Sequence, residues 1–202
     1  LPCDQPRPQL PTQRGDVVDF ALSAAQSRKL QAFARAHDTT VFVVMLGAFQ
    51  AVLHRLSGQR ELRVGVPVTN RNRLETEAVI GLFVNTQVLR SDYDPSRDFA
   101  HVVARTRETA LSAQAHQDVP FERLVEALAP ARSTGHNPLF QVMYNHLRRS
   151  EGLFAGSSEL QASPFAWKSQ WSQFDLTLDT EEAADGSVSG RLTYATDLFA
   201  RS

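Results

Sequence analysis

The sequence has little cysteine and little lysine. Cys3 is its only cysteine, and Lys29 and Lys168 are its only lysines among 202 residues. A single cysteine excludes an intramolecular disulfide, which favours a reducing, cytoplasmic setting. Cys3 lies in a proline-rich stretch without a nearby base, so the sequence does not favour it as a nucleophile.

Excess charge of one sign is also absent. The formal net charge is −1, so no basic surface indicates nucleic acid or an anionic membrane as a partner. The longest apolar run, VFVVMLGAF, is too short to cross a bilayer, for which about 20 apolar residues are needed.

Motifs of known catalytic chemistry are missing. The sequence has no G-x-S-x-G, H-E-x-x-H, C-x-x-C, S-x-x-K, P-loop or G-x-G-x-x-G pattern. Its six histidines are isolated from one another, and none has metal-ligand spacing with a second histidine or a cysteine. The sequence therefore predicts no metal site.

The proline-rich residues 1–14 are typical of an extended linker. Strands are then predicted from period-two patterns, with a hairpin turn at Asp185-Gly186. The expected strands are residues 16–22, 62–69, 81–92, 139–147, 165–170, 174–182 and 188–198.

Four main helices are predicted between these strands. Ser23 and Gln26 form a capping-box pattern for the first helix, and Gly58 is expected to end the second. Ser96 is expected to open the third helix and Pro120 the fourth. The expected core includes Phe42, Phe49, Leu53, Leu124, Val125 and Phe140. The fold class is α+β, with helices packed on a mixed sheet.

His116 and Asp118 precede Pro120 in the stretch AHQDVPFERL. A histidine near a carboxylate suggests catalysis, but Asp118 is also placed to accept an amide hydrogen at the positive end of a helix. We expect the structural role, with His116 and Gln117 ending the preceding helix.

Three segments occur in a characteristic order: IGLFVNTQVLR (80–90), HQDVPFE (116–122) and RSTGHNPLFQVM (132–143). With the flanking GVPVTNRNR and FDLTLD, they strongly resemble the last three motifs of condensation domains of non-ribosomal peptide synthetases. The third segment departs from the family pattern at Ser133, Gly135 and His136. We expect this departure to change a loop salt bridge and leave the fold intact.

The resemblance implies a fold similar to chloramphenicol acetyltransferase, built as two related lobes with a reaction tunnel between them. The family's catalytic His-His-x-x-x-Asp-Gly motif belongs to the first lobe, and this sequence has no His-His pair. Residues 15–202 therefore resemble the C-terminal lobe without the family's last helix, and residues 1–14 resemble the inter-lobe linker. Such a lobe is expected to be inactive alone.

The resemblance also suggests functional positions. Asn85, with Thr86 and Gln87 as weaker candidates, is expected to line the tunnel or to hydrogen-bond the substrate or the pantetheine arm; a structural hydrogen bond is the equal alternative for Asn85. Arg71 and Arg73 are candidates for docking an acidic carrier protein. Trp167 and Trp171 flank a strand that the family uses to reach the first lobe. No catalytic residue is expected here.

The implied partners are the first lobe, peptidyl or aminoacyl carrier proteins bearing phosphopantetheine, and an adenylation domain; no cofactor is expected in this chain. Two alternatives stay open. One is a lobe of an epimerisation or other acyltransferase-type relative, and the other is a non-catalytic module that binds carrier proteins.

Overall fold

The computed structural model describes residues 1–71, 74–128, 136–149 and 170–201. Six strands and five helices follow one another in these residues as β1 (Gly15–Ala21), α1 (Ala24–Ala36), α2 (Val41–Ser57), β2 (Glu61–Val68), α3 (Leu74–Glu77), β3 (Asn85–Asp92), α4 (Phe99–Gln114), α5 (Phe121–Leu128), β4 (Val142–Arg148), β5 (Leu176–Glu182) and β6 (Val188–Ala195). The predicted strand at 165–170 lies outside the described residues, apart from Gln170.

Local sequence signals set the ends of α1 and α2. The Ser23 hydroxyl accepts from the Gln26 amide, and the Gln26 side chain accepts in return from the Ser23 amide, which confirms the capping box. The Thr40 hydroxyl accepts from the Val43 amide at the start of α2. Gly58 ends α2 with a φ of 67°, the left-handed conformation that glycine adopts without steric cost.

The strands form one mixed sheet in the order β1-β6-β5-β4-β2-β3. β4 pairs in parallel with β2 and with β5. The other three pairings are antiparallel, and the β5–β6 hairpin turns at Asp185-Gly186 as predicted. The sheet and its helices confirm the predicted fold class.

α2 packs its apolar face against the middle of this sheet. Leu46, Phe49 and Leu53 contact strand residues, among them Val64 and Tyr144, in one buried cluster. A second cluster joins α1, α2 and α4 to the start of β6 through Ala34, Val41, Val43, Val44, Val103 and Val188. Burial of Phe49, Leu53 and Phe140 confirms their prediction as core residues, whereas Phe42 is half-buried.

Several element boundaries differ from the prediction, among them the starts of α4 and β3, which lie near the site described below. α4 is capped by Asp98, whose carboxylate accepts from the His101 amide, while Ser96 hydrogen-bonds Asp94 in the turn before it. β3 begins at Asn85 and not at residue 81, because residues 81–84 pair with no strand among the described residues. At α4, Asp94, Ser96 and Asp98 are all residue types that cap helices, so the sequence alone did not single out Asp98.

The prediction of α5 as a core helix was wrong. Leu124 and Val125 are half-buried, Leu128 is 60% exposed, and no residue of α5 is fully buried. The apolar stripe is present in the sequence, but α5 packs on the start of β3 and on the ring of Phe140. An apolar stripe indicates which face of a helix packs against the protein. How deeply that face is buried depends on the size of the surface that it packs against.

The proline-rich residues 1–14 have no regular structure over most of their length but are held against the end of the sheet. The guanidinium of Arg7 donates two hydrogen bonds to the carboxylate of Asp175. Thr12 donates its amide and its hydroxyl to Asp197, at 2.6 and 2.8 Å. The segment expected to be a linker is therefore fastened to this fold.

Among the described residues, no single helix is long and apolar enough to cross a membrane. α1 and α2 reach that length and composition only as a pair, and the pair bends by 103° at the break.

Candidate functional site

The junction between α4 and α5 is held by the first residue of β3. Asn85 donates from Nδ2 to the carbonyls of Gln117, at 2.9 Å, and Val119, at 2.8 Å. Its Oδ1 accepts from the amides of Phe121, at 3.1 Å, and Thr86, at 2.9 Å. Asn85 therefore supplies an acceptor at the start of α5, and the same role for Asp118 stays a prediction.

Gln87, two residues after Asn85 in β3, also hydrogen-bonds to the junction between α4 and α5. Its Nε2 donates to the carbonyl of Ala113 in the last turn of α4, at 2.6 Å. Side chains two apart on a strand lie on one face, so Asn85 and Gln87 both contact the helix layer. The side chain of Thr86 alternates to the other face.

His116 lies in the turn that ends α4. It is exposed, its amide donates to Ala113, and its Nδ1 lies 2.8 Å from the carbonyl of Ser112. These contacts agree with the role of a helix end that we expected for HQDVPFE. No group of residues able to bind a metal ion occurs in the described part of the chain.

A groove of about 610 Å³ opens beside Gln87, between α4, the start of α2, the ends of β2 and β4 and the first part of β3. Its walls combine apolar groups, such as Phe42 and Val66, with the polar side chains of Thr40, Gln87 and His146. The volume is in the range of small-molecule sites.

His146 is the groove residue that the sequence analysis missed. Its Nδ1 lies 2.8 Å from the hydroxyl of Thr180, which is also 3.0 Å from the hydroxyl of buried Tyr144. Burial lowers the pKa of His146 below its ordinary value of 6.5, and the charge of Glu182 opposes this only partly. His146 is therefore neutral near pH 7. The period-two pattern of β4 puts His146 on the same face as Tyr144, and this pattern could have indicated from the sequence that His146 faces the helices.

The third sequence segment forms a turn that places an aromatic ring in the core. The Oδ1 of Asn137 accepts from the amides of Leu139, at 3.0 Å, and Phe140, at 3.3 Å. The ring of Phe140 packs between Phe121 and Phe174. It also covers Gly65, where a Cβ atom would overlap the ring.

Arg71, a candidate for carrier docking, has its guanidinium turned to its own loop. It donates to the carbonyls of Thr76, Val79 and Gly81 and lies 4.3 Å from the centre of the Phe83 ring. Arg73, Trp167 and the departures Ser133 and Gly135 lie outside the described residues. Trp171 is 68% exposed, and its backbone bridges to Arg14.

Comparison with known proteins identifies the family. The family model described as the condensation domain matches residues 1–202. The chain belongs to this family. A linear gramicidin synthase of Brevibacillus parabrevis is 40% identical over 201 residues, which is 98% of this chain and 3% of that protein. The enniatin synthetase of Fusarium oxysporum is 39% identical over 201 residues, which is 98% of this chain and 6% of that protein.

Solved structures of related proteins share the fold. Holo-AB3403, a four-domain nonribosomal peptide synthetase bound to AMP and glycine, matches with a TM-score of 0.89 at 29% identity, over 98% of this chain and 16% of that one. The X-domain from teicoplanin biosynthesis matches with a TM-score of 0.87 at 27% identity, over 100% of this chain and 46% of that one. The present chain thus spans less than half the length of each.

Proposed function

We propose that this chain is the C-terminal half of a condensation domain that joins an acyl group on one carrier protein to an aminoacyl group on another. The observation that carries the proposal is the family match over residues 1–202, together with the similarity to a gramicidin synthase. The groove beside Gln87 and His146 then forms part of the tunnel wall.

The half-domain assignment is supported by lengths and by motifs. All of this chain corresponds to 46% of the X-domain chain, as expected for one of two lobes. The sequence has no adjacent pair of histidines, and the resemblance assigns that pair to the first lobe. In this proposal the chain provides the wall of the tunnel and the other lobe provides the base.

The reaction is an acyl transfer from sulfur to nitrogen. The acceptor's amine attacks the carbonyl carbon of the donor's thioester, so a C–N bond forms and the C–S bond breaks. The base in the first lobe takes a proton from the amine, and the leaving sulfur ends as the free thiol of the donor's phosphopantetheine arm. His146, being neutral, can hydrogen-bond a substrate amide in the groove without adding charge.

The partners in this proposal are the first lobe, two carrier proteins with their phosphopantetheine arms, and an adenylation domain. The contributions of Asn85, Thr86 and Gln87 to the tunnel, and of Arg71 and Arg73 to carrier docking, stay predictions. The cytoplasmic setting expected from the single cysteine is also a prediction.

The test measures amide product formed from loaded donor and acceptor carriers. We expect none from the 202 residues alone and turnover when they follow the first lobe of the same domain, because a positioned base contributes about 10²–10⁴-fold and orientation contributes more. His116→Ala in the complete domain should stay within about threefold of wild type. Turnover by the isolated chain that His116→Ala abolishes would contradict the proposal.

A second candidate function has one observation in its favour. The complex of the X-domain and OxyB from teicoplanin biosynthesis matches this chain with a TM-score of 0.87. A fold of this shape therefore serves that protein in a protein–protein complex. If the complete domain binds loaded carriers but forms no amide, a binding module becomes the better assignment.

A further inference from the structure

The loop of residues 74–84, which lies between β2 and β3 and includes the short helix α3, exposes apolar side chains to solvent. Ile80 is fully exposed and Leu82 is 92% exposed. Leu74, Val79 and Val84 are exposed as well. Because these side chains bury little surface within the chain, the hydrophobic effect contributes little to holding this loop in place.

Arg71 holds the loop by polar contacts, since the apolar side chains of the loop pack little against the rest of the chain. Its guanidinium donates to three main-chain carbonyls of the loop: those of Thr76, of Val79 at 2.9 Å, and of Gly81 at 3.4 Å. The same group lies over the ring of Phe83, an arrangement that attracts a cation to the face of the ring. One side chain thus connects four points of the loop, from Thr76 to Phe83.

The chemistry of arginine suits this task, and that of lysine does not. A planar guanidinium has five donors in a fixed fork, so it can bind several carbonyls and stack on a ring at once. An ammonium group is a compact point charge and cannot span Thr76, Gly81 and Phe83 together. The turn into the loop supports the same geometry, since Asn70 has a φ of 52°, a conformation that asparagine tolerates better than most residues.

The loop runs directly into the site described above. Val84 is followed by Asn85, whose amide holds the junction of α4 and α5. A shift of the loop would therefore move the first residue of β3.

We infer that Arg71 is a positioning residue: it fixes the loop of residues 74–84 for the amide-forming reaction, and it does not act as a surface charge that attracts the carrier protein. The role in the reaction rests on the function proposed above. The role in ordering the loop concerns this chain alone and can be tested separately.

The first experiment is limited proteolysis of the 202-residue protein with chymotrypsin, following cleavage after Leu82 or Phe83 by mass spectrometry. We expect Arg71→Lys to be cut there at least about tenfold faster than wild type, because charge-assisted bonds to the loop are lost. The matched control is Arg105→Lys, an exposed arginine that pairs with Glu108 on α4, and it should behave as wild type. Cleavage after buried Phe49 reports global unfolding. Equal acceleration at both sites, or none at the loop, would overturn the inference.

The second experiment measures amide formation by the complete domain at low and high salt. A positioning role predicts that Arg71→Lys lowers kcat about tenfold or more, leaves the KM for the carrier unchanged, and does so equally at both salt concentrations. If Arg71 instead attracted the carrier by its charge, Arg71→Lys would keep the activity of wild type, and Arg71→Ala would raise the KM for the carrier mainly at low salt. These two results would overturn the inference. If wild type itself forms no amide, the proposed function fails, while the proteolysis still decides whether Arg71 orders the loop.

Discussion

Asn85 lies at the first position of β3, and its side chain joins the strand to the turn between α4 and α5. Both hydrogens of Nδ2 and two acceptor positions of Oδ1 are used within the chain. Any bond from Asn85 to a substrate would have to replace one of these. The structural role is present in the fold, and the role in the tunnel stays a prediction.

Replacement of Asn85 tests this network by its effect on stability. Asn85→Ala should lower the free energy of unfolding by about 2–4 kcal/mol, because three bonds to distant segments are lost at about 1 kcal/mol each and carbonyls remain unpaired. Asn85→Asp keeps the acceptor for Phe121 but turns a carboxylate oxygen towards the carbonyls of Gln117 and Val119. It should be at least as destabilising as alanine in urea denaturation. An Asp variant as stable as wild type would contradict the donor role of Asn85.

His146 predicts a dependence of stability on pH. Because its pKa in the folded protein is lowered from 6.5 by burial, the unfolded chain takes up the proton at a higher pH than the folded chain does. The contribution of neutral His146 to the free energy of unfolding is therefore complete above about pH 6.5. It decreases as the pH falls through the lowered pKa of His146.

The measurement compares urea denaturation of wild type and His146→Gln at about pH 8 and about pH 5.5. Glutamine can keep a hydrogen bond to Thr180 but does not titrate. We expect wild type to lose more stability than the variant between these two values. The five other histidines are common to both proteins, so equal losses would show that His146 is not protonated differently in the two states.

At the scale of elements, α2 and α5 both carry apolar stripes but have different surroundings. α2 lies across the sheet and buries Leu46, Phe49 and Leu53 almost completely. Among the described residues, α5 contacts the start of β3 and the ring of Phe140, and Leu124 remains half-buried. The same residue type should therefore contribute differently in the two helices.

A pair of matched leucine substitutions checks this difference. Leu53→Ala should lower the free energy of unfolding by about 2–5 kcal/mol, the range for a fully buried leucine that leaves a cavity. Leu124→Ala should cost about 1–2 kcal/mol, because part of the side chain already contacts water. Both values come from chemical denaturation at one pH. A larger loss for Leu124 than for Leu53 would contradict the observed packing of α5.

At the scale of the whole molecule, the first residues are tied to the last described ones. Besides the pairs of Arg7 and Thr12, the amide of Asp4 donates to Leu198 and its carboxylate accepts from Ala200. The carboxylate of Asp175 is largely buried under Arg7. The proline-rich segment thus closes one end of the sheet.

Arg7→Ala should destabilise the protein by about 2–3 kcal/mol. This is below the usual cost of breaking a fully buried pair, about 3–5 kcal/mol, because Arg7 is partly exposed. The double variant Arg7→Ala with Asp175→Asn removes the unpaired charge and should recover part of the loss in a thermal melt or urea titration. No recovery would mean that Arg7 acts through packing alone.

Sequence by itself determined the features that depend on near neighbours. The cap of α1, the left-handed end of α2 and the turn at Asp185-Gly186 each rest on residues within a few positions of one another, and each occurs where it was predicted. Period-two patterns indicated the strands, and the three motifs in order indicated the family. These signals are local in the chain, so they can be recognised without knowledge of the fold.

Only the tertiary structure decided which distant groups meet. The partners of Asn85 in the α4–α5 junction are 32 to 36 residues away, and Asp175 is 168 residues from Arg7. The limited burial of α5 and the groove around His146 likewise depend on which surfaces pack together. The physical reason is that the sequence identifies hydrogen-bond donors and apolar helix faces, but it does not identify the groups that they contact. The packing of the whole chain determines which groups come within contact distance.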